Sequence, residues 1–158
     1  MINDVTSFGY PINIQTCSAN VDETDKRNVF VVVVSAPSYF EKRHAIRRSW
    51  ERDLKNETIR HSVGFAFFLG RTDMGVEANI EKEYRKHGDV IQVDISDTYN
   101  NLSLKSVSIL NRVFKFCVDF LLKVDDDVYV NVRNLVATIR DLSLSDLSVY
   151  GKSAGGKW

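Results

Sequence analysis

The sequence has little cysteine and little proline. Only two of each occur among 158 residues. Cys17 and Cys117 lie far apart and neither belongs to a CxxC pair, which argues against a structural zinc site. The pair is either two free thiols or one disulfide, and a disulfide would require an oxidising compartment.

The sequence also lacks net charge and long apolar runs. Its 21 basic residues balance 21 acidic ones, so there is no electrostatic case for nucleic acid or an anionic membrane as partner. The longest strongly apolar runs, residues 29–34 and 65–69, are far shorter than the roughly 20 residues of a spanning helix. The first residues, MINDVTSFGYPIN, contain no apolar signal core. We expect neither a nucleic-acid partner nor a membrane anchor within this chain.

Apolar runs alternate with charged, helix-like segments along the chain. Predicted strands cover residues 28–36, 63–70 and 90–95, the run that begins at residue 120, and a final short strand at 147–150. Predicted helices cover residues 39–52, 75–87, 102–117 and 131–142. This order predicts an α/β fold with a mostly parallel, doubly wound sheet and helices on both faces. Residues 1–27 are polar and are predicted to be a lead-in, so that the domain covers residues 28–158.

Several local features of these helices allow specific predictions. Ser38 with Glu41 has the spacing of a capping box, so it should begin the first helix. Trp50 is predicted to lie in the core or to pack as a lid. In the helix at 102–117, apolar spacing predicts a buried face. Its members would be Leu102, Ser106, Ile109 or Leu110, Val113 or Phe114, and Cys117.

The run at residues 120–130, FLLKVDDDVYV, carries the clearest functional signal. It reads as a short buried strand, with Leu121, Leu122 and Val124 as its apolar body, that ends in three adjacent carboxylates. In extended backbone Asp125 and Asp127 project to one side, and the aspartate between them projects to the other. A paired carboxylate suits Mg²⁺ or Mn²⁺. The alternative interpretation is a polar turn at a strand end.

Other carboxylates also follow predicted strands. Asp73 and Asp97 lie just past the second and third strands, as Asp125 does at the fourth. Ligands of open α/β sheets bind beyond the carboxyl ends of strands. If those strands are neighbours, the three carboxylates point into one crevice.

Common nucleotide and hydrolase motifs receive no support from the sequence. The first strand-to-helix turn, SAPSYFEKR, lacks G-x-G-x-x-G, which disfavours a dinucleotide site. Residues 151–153, GKS, resemble the end of a P-loop, but the glycine that this motif needs is an aspartate at position 146. Residues 151–155, GKSAG, match the spacing G-x-S-x-G, but no His positioned for a triad can be argued. An aspartyl phosphotransferase using Asp125 and Asp127 has no further support, because that motif belongs on a first strand.

Four blocks, taken in order, resemble the β-1,3-galactosyltransferase family (glycosyltransferase family 31). They are residues 43–50 (RHAIRRSW), 68–70 (FLG), 97–105 (DTYNNLSLK), and 123–131 (KVDDDVYVN) preceded by Cys117. The family patterns that they fit are R-x-x-I-R-x-[ST]-W, a second-strand ending, D-x-Y-x-N-L-[ST]-x-K, and C…K-x-D-D-D-[VA]-[FY]-[VL]-N. Each block is weak alone, but their order and spacing make the resemblance specific from about residue 28 onward.

The resemblance implies a GT-A-like fold and a hexosyltransferase. It implies a UDP-galactose or UDP-N-acetylglucosamine donor, Mn²⁺ (or Mg²⁺), and β-1,3 transfer to a carbohydrate acceptor with inversion. Asp127 would be the main metal ligand, and Asp125 and Asp126 would bind ribose or metal waters. Arg43, Arg47, Asp97 and Lys105 would line the nucleotide side. With Asp73 from the strand-end pattern, the candidate nucleotide-binding set is Arg43, Arg47, Asp73, Asp97, Lys105, Asp125 and Asp126, and the metal candidates are Asp125 and Asp127.

The resemblance also implies a setting for the protein and shows departures from the family. Members are type II membrane proteins of the Golgi lumen, where a Cys17–Cys117 disulfide and glycans on Asn56 or Asn101 would be permitted. Their acceptor-binding half supplies an acidic catalytic base and has no counterpart here, and neither does their anchor. We therefore expect the donor-binding half of an enzyme, without acceptor transfer by these 158 residues alone. The alternative is a truncated, inactive relative that acts as a binding module or does not fold alone.

Overall fold

A computed structural model of the chain describes residues 7–14, 29–54, 63–116, 118–142 and 149–150. Strands and helices alternate through these residues. The strands are β1 (Val29–Val34), β2 (Val63–Arg71), β3 (Val90–Ser96) and β4 (Phe120–Asp125). The α-helices are α1 (Phe40–Arg48), α2 (Trp50–Leu54), α3 (Met74–His87), α4 (Leu102–Val113) and α5 (Val132–Asp141), and a one-turn 3₁₀ helix, Tyr99–Asn101, leads into α4.

The four strands form one parallel sheet in the order β3-β2-β1-β4. This confirms the predicted α/β fold, which is that of an incomplete GT-A-like domain. The chain builds the sheet outward from β1 through β2 to β3 and then returns to the other side of β1 with β4. Strand order therefore reverses between β1 and β4, and a crevice for ligands opens at such a point. The register pairs Val34 with Asp125, so the two strands end side by side.

The sheet is covered on both faces, because successive side chains of a strand point to opposite sides. In β1 every residue but the last is buried, as the continuous run VFVVVV predicts. One face packs against α1, α2, α3 and α5, and its buried members include Val31, Val33, Trp50, Phe67, Leu69, Ile80 and Ile139. The other face packs against α4, with Phe30, Val32, Ala66, Phe68, Ile109 and Val113.

The first predicted helix is broken at Ser49. Its hydroxyl and its N–H both donate to the carbonyls of Ala45 and Ile46, which ends α1 before α2 begins. The break turns Trp50 inward until only 1% of it is exposed, which confirms its predicted place in the core. The capping-box prediction for Ser38 was wrong, because α1 begins one residue later and no side chain caps it.

The buried face of α4 is rotated from the predicted one. Two of the predicted members, Ile109 and Val113, are buried, but Leu110 and Phe114 are 56% and 84% exposed. The remaining buried residues are polar: Lys105, Ser108 and Arg112. Apolar spacing missed them because these side chains find polar partners inside the fold. The last predicted member, Cys117, lies outside the described residues.

Residues 7–14 cover the outer edge of β3. Ile12 forms an antiparallel bridge with Gln92, whose N–H donates to the Ile12 carbonyl at 2.9 Å. The Asp94 N–H donates to the Gly9 carbonyl at 2.8 Å. The boundary predicted after residue 27 and the Asn56 sequon fall outside the described residues, as do residues 147 and 148 of the predicted strand at 147–150, whose last two residues are not in a strand.

At the opposite edge, β4 is less buried than its apolar sequence predicts. Leu121, Leu122 and Val124 are only half-buried. Within the described residues β4 pairs on one side only, with β1, which accounts for this exposure. None of the helices in the described ranges has the length and apolar content that crossing a bilayer requires.

Helix α3 allows a direct test of this packing. Ile80 is fully buried in the core, whereas Met74 at the start of the same helix is 89% exposed. We expect Ile80→Ala to lower the free energy of unfolding by about 2–5 kcal/mol, because it leaves a cavity. Met74→Ala should change it by less than about 0.5 kcal/mol. Urea unfolding of both variants would measure this, and equal losses would contradict the packing described.

Candidate functional site

Ser35 lies at the centre of the site, immediately after β1. Its N–H donates to the Phe68 carbonyl of β2, and its carbonyl accepts from the Lys105 ammonium group at 3.0 Å. Its hydroxyl oxygen accepts from Nη1 of Arg43 at 3.2 Å and donates to Oδ2 of Asp126 at 2.8 Å. One small residue therefore joins β2, α4, α1 and the aspartate triplet.

The three aspartates of the triplet differ in their surroundings. The Asp126 carboxylate accepts from the Ser35 hydroxyl and, at 2.8 Å, from the Lys42 ammonium group, and only 9% of its side chain is exposed. The side chain of Asp125 is 65% exposed, and Asp127 is also exposed. The middle carboxylate is enclosed and its two neighbours are exposed, but β4 ends at Asp125 and a turn follows, so the alternation predicted for extended backbone does not describe the last two aspartates.

The exposed carboxylates of Asp125 and Asp127 suit a metal ion that takes few ligands from the protein and its other ligands from water or phosphate. Among the residues that the structure describes, no group of three or more acidic, His or Cys side chains encloses a metal position. Mg²⁺ usually takes one or two carboxylates and completes its shell with water and phosphate oxygens. Asp125 and Asp127 fit such a half-open site, and their part as metal ligands stays a prediction.

A second group lies at the ends of β2 and β3. Oδ2 of Asp97 accepts from the Lys105 ammonium group at 2.9 Å and from the Gly70 N–H at 3.2 Å. Burial lowers the pKa of Lys105, and the nearby Asp97 carboxylate only partly offsets this. Lys105 therefore spans from the end of β3 to the Ser35 carbonyl. Two members of one sequence block, eight residues apart, meet here as a buried pair.

The two predicted arginines of α1 are bound inside the protein. Arg43 has no exposed surface and donates to Glu83 through Nε and Nη2, and to the carbonyls of Ala36 and Pro37. Arg47, one helical turn later, donates to Glu83 and makes two bonds of 2.7 Å to the carboxylate of residue 89. Their predicted contact with nucleotide is untested, and in this structure these guanidinium groups bind carboxylates.

Glu83 is held between these two charges. Burial alone would raise the pKa of Glu83, but hydrogen bonds and charge from Arg43 and Arg47 outweigh it and hold the pKa below its usual value. The cluster fastens α3 to α1 beneath the carboxyl end of β1.

Asp73 lies apart from the triplet. Its Oδ1 accepts from the N–H groups of Gly75 and Val76, so Asp73 caps α3. In the sheet order, β4 is a neighbour of neither β2 nor β3. The strands that precede Asp73, Asp97 and Asp125 are therefore not all neighbours, which was the condition for these carboxylates to point into one crevice. Only Asp97 is linked toward the triplet, through Lys105 and Ser35. A place for Asp73 in nucleotide binding stays a prediction.

Sequence reasoning missed Ser35, Lys42 and Glu83 as parts of the site. Ser35 could have been found, since it is the polar residue directly after the most apolar strand. Lys42 was counted only among the charges of a helix. Glu83 gives no sequence signal, because 40 residues separate it from Arg43.

Comparison with known proteins identifies relatives for most of the chain. A family model described as "Galactosyltransferase" matches residues 41–157. The mouse protein named "Beta-1,3-galactosyltransferase 4" is 38% identical over 117 residues, which cover 70% of this chain and 30% of the mouse protein. The rat "UDP-GalNAc:beta-1,3-N-acetylgalactosaminyltransferase 1" is 36% identical over 129 residues, 77% of this chain and 38% of its own. The human protein of that name is 34% identical over 122 residues, 73% and 36% respectively. The chain thus spans about a third of the length of these relatives.

The cluster of Arg43, Arg47 and Glu83 predicts that one conservative substitution will lower the free energy of unfolding substantially. Glu83→Gln keeps the shape but leaves two buried guanidinium groups without their shared carboxylate, so we expect a loss of about 3 kcal/mol in the free energy of unfolding. Glu81→Gln on the same helix is the control, because Glu81 and its partner Arg85 are 60% and 74% exposed. That change should cost less than about 0.5 kcal/mol.

The same variant should alter the dependence of stability on pH. Because the folded pKa of Glu83 lies below its usual value of 4.5, its contribution is present above that pH and is lost as pH falls through the folded pKa. Glu83→Gln should therefore lose less stability than the wild type on acidification below pH 4.5. Parallel pH profiles would contradict the cluster as described.

A glycine pair tests the close approach of β2 to Asp97. A Cβ at Gly70 would lie 2.7 Å from the Ile95 carbonyl oxygen and 2.9 Å from Cβ of Asp97. Gly70→Ala should cost about 1–3 kcal/mol, because backbone must move. At Gly75 the nearest atom would be 3.4 Å away, so Gly75→Ala should be neutral or stabilise the helix by up to about 1 kcal/mol. Equal urea midpoints for the two variants would refute this geometry.

Proposed function

This chain belongs to the galactosyltransferase family, and we propose that it is the donor-binding part of a hexosyltransferase that uses a UDP-sugar. The observation that carries the proposal is the aspartate turn at the reversal point of the sheet. There the Asp126 carboxylate is held inside by Ser35 and Lys42, and the carboxylates of Asp125 and Asp127 are left open. Family membership connects such a turn with nucleotide-sugar chemistry.

We further propose that Asp127, with Asp125, provides protein ligands for Mn²⁺ or Mg²⁺. When bound, the cation would neutralise the charge of the diphosphate, which is the leaving group. This chain's own residues would place that diphosphate. The turn sets the position of the two carboxylates, and the ends of β1 and β4 form the floor of the crevice.

The other charged groups fit a supporting part in donor binding. Lys105 is buried and already bound to Asp97 and to the Ser35 carbonyl, so it stabilises the strand ends behind the site. Arg43 and Arg47 act in the same way from α1, through carboxylates of α3 and the turn before β3. We propose that they shape the nucleotide side without contacting it.

The sugar, the acceptor and the cellular setting are proposed from the relatives. Their names specify galactose or N-acetylgalactosamine as the transferred sugar and a β-1,3 linkage. We propose that the complete enzyme transfers a hexose or an N-acetylhexosamine to a glycan acceptor in β-1,3 linkage, in the Golgi lumen, as a type II membrane protein. Inverting transfer needs a general base near the acceptor hydroxyl. In this proposal that base comes from the acceptor-binding half of the complete enzyme.

Removing one open carboxylate should uncouple UDP binding from the metal. We expect wild-type protein to bind UDP more tightly with Mn²⁺ than with a chelator, as measured by calorimetry. Asp127→Ala should abolish that difference while the unfolding midpoint stays the same, because the side chain is exposed. The control is Asp141→Ala, which removes an equally exposed aspartate from the last position of α5.

Two outcomes would contradict the proposal. One is equal UDP affinity of the wild type with Mn²⁺ and with chelator. The other is an equal loss of UDP affinity in the Asp127→Ala and Asp141→Ala variants, which would point to general charge rather than to this turn.

A further inference from the structure

The hydroxyl group of Ser35 has one proton and two charged neighbours, and this fixes the direction of its hydrogen bonds. Arg43 can only donate, so the Ser35 oxygen must accept from Nη1. The hydroxyl proton is then free for an acceptor. The Asp126 carboxylate lies at 2.8 Å and the Ala36 carbonyl at 3.4 Å, so the shorter, charge-assisted bond to Asp126 is favoured.

The second oxygen of Asp126 is also occupied. Oδ1 accepts from the Lys42 ammonium group at 2.8 Å, and this hydrogen bond raises the pKa of Lys42. One oxygen of Asp126 is bound to Ser35, just after β1, and the other to Lys42 of α1. The Asp126 side chain therefore has few orientations left. The backbone forms a turn over residues 125–128, in which the Val128 N–H donates to the Asp125 carbonyl at 3.3 Å. The anchored carboxylate lies inside this turn, between its two exposed neighbours.

We propose that Ser35 is a positioning residue that orients the aspartate turn, assisted by Lys42. A chain of contacts runs from Glu83 through Arg43 and Ser35 to Asp126, so the rigid packing of α1 on α3 sets the place of the turn. Groups behind metal ligands commonly orient the ligands in this way. The ligand, a cation with a nucleoside diphosphate, rests on the proposed function, but the positioning of the turn does not.

The test has an arm that needs no ligand. Amide hydrogen exchange of the full 158-residue chain, without metal or nucleotide, reports on the Val128 N–H and on the amides of Asp126 and Asp127. We expect Ser35→Ala to speed exchange of these amides by roughly tenfold, the factor typical of one lost hydrogen bond to a charged group. Ser108→Ala is the matched control, because Ser108 is equally buried and donates only to the Lys105 carbonyl in its own helix. It should leave exchange of the turn amides unchanged.

The second arm measures UDP binding by calorimetry. In Ser35→Ala the gain in UDP affinity that Mn²⁺ provides should fall by roughly tenfold or more, while affinity in chelator is unchanged. Lys42→Gln removes the other anchor at a side chain that is 42% exposed, so it tests the same effect even if Ser35→Ala does not fold. It should change both readouts in the same direction.

The outcomes separate the two proposals. If the wild type shows no Mn²⁺-dependent UDP binding but turn exchange still rises in both variants, the proposed function fails and the positioning stands. If neither Ser35→Ala nor Lys42→Gln changes exchange of the turn amides, the positioning is refuted whatever the ligand does. A loss of UDP affinity that is equal with Mn²⁺ and with chelator would also refute it, because a general structural defect predicts that result.

Discussion

The buried guanidinium group of Arg43 is the constraint on which the arrangement of this site depends. An isolated charge without solvent contact costs too much free energy to persist, so the fold must supply partners for it. Glu83, two backbone carbonyls and the Ser35 hydroxyl do so. Glu83 belongs to α3 and the other partners are the consecutive residues 35–37 that follow β1, so satisfying one cation fixes α1 and α3 at the carboxyl end of β1.

A second buried cation, on the other face of the sheet, likewise fixes the position of the elements that supply its partners. Lys105 reaches the Ser35 carbonyl and the Asp97 carboxylate from α4. Two cations from opposite faces of the sheet thus meet on one residue at the reversal point of strand order. Both cations are paired with carboxylates of their own, Glu83 and Asp97, so they fix the strand ends without giving the crevice a net positive charge.

The sequence was sufficient for the sheet, since continuous apolar runs such as that of β1 are typical only of strands buried on both faces. It was also sufficient to find the aspartate triplet, because three adjacent carboxylates after a strand are unusual. It failed in part for α4, where the spacing of apolar residues left Leu110 and Phe114 open as members of the buried face and did not find Lys105 and Arg112. Hydrophobic spacing cannot register a buried cation whose partner lies elsewhere in the chain. Glu83 was not predicted for the same reason, since its structural role depends on two arginines of another helix.

The family blocks acquire a different physical meaning when their contacts are considered. In the block at residues 43–50, the first and fifth positions are arginines one helical turn apart, and both bind the same glutamate. In the block at residues 97–105, the first and last positions form a buried ion pair. Most charges that carry the resemblance are therefore paired within the protein and build a rigid frame. The triplet block differs, because only its middle carboxylate is enclosed, while Asp127 is exposed and Asp125 has only a loose, exposed ion pair of 3.6 Å with Lys123. In the function proposed above, this frame would hold the turn in place so that Asp125 and Asp127 can share a cation, since neighbouring carboxylates repel unless a cation joins them.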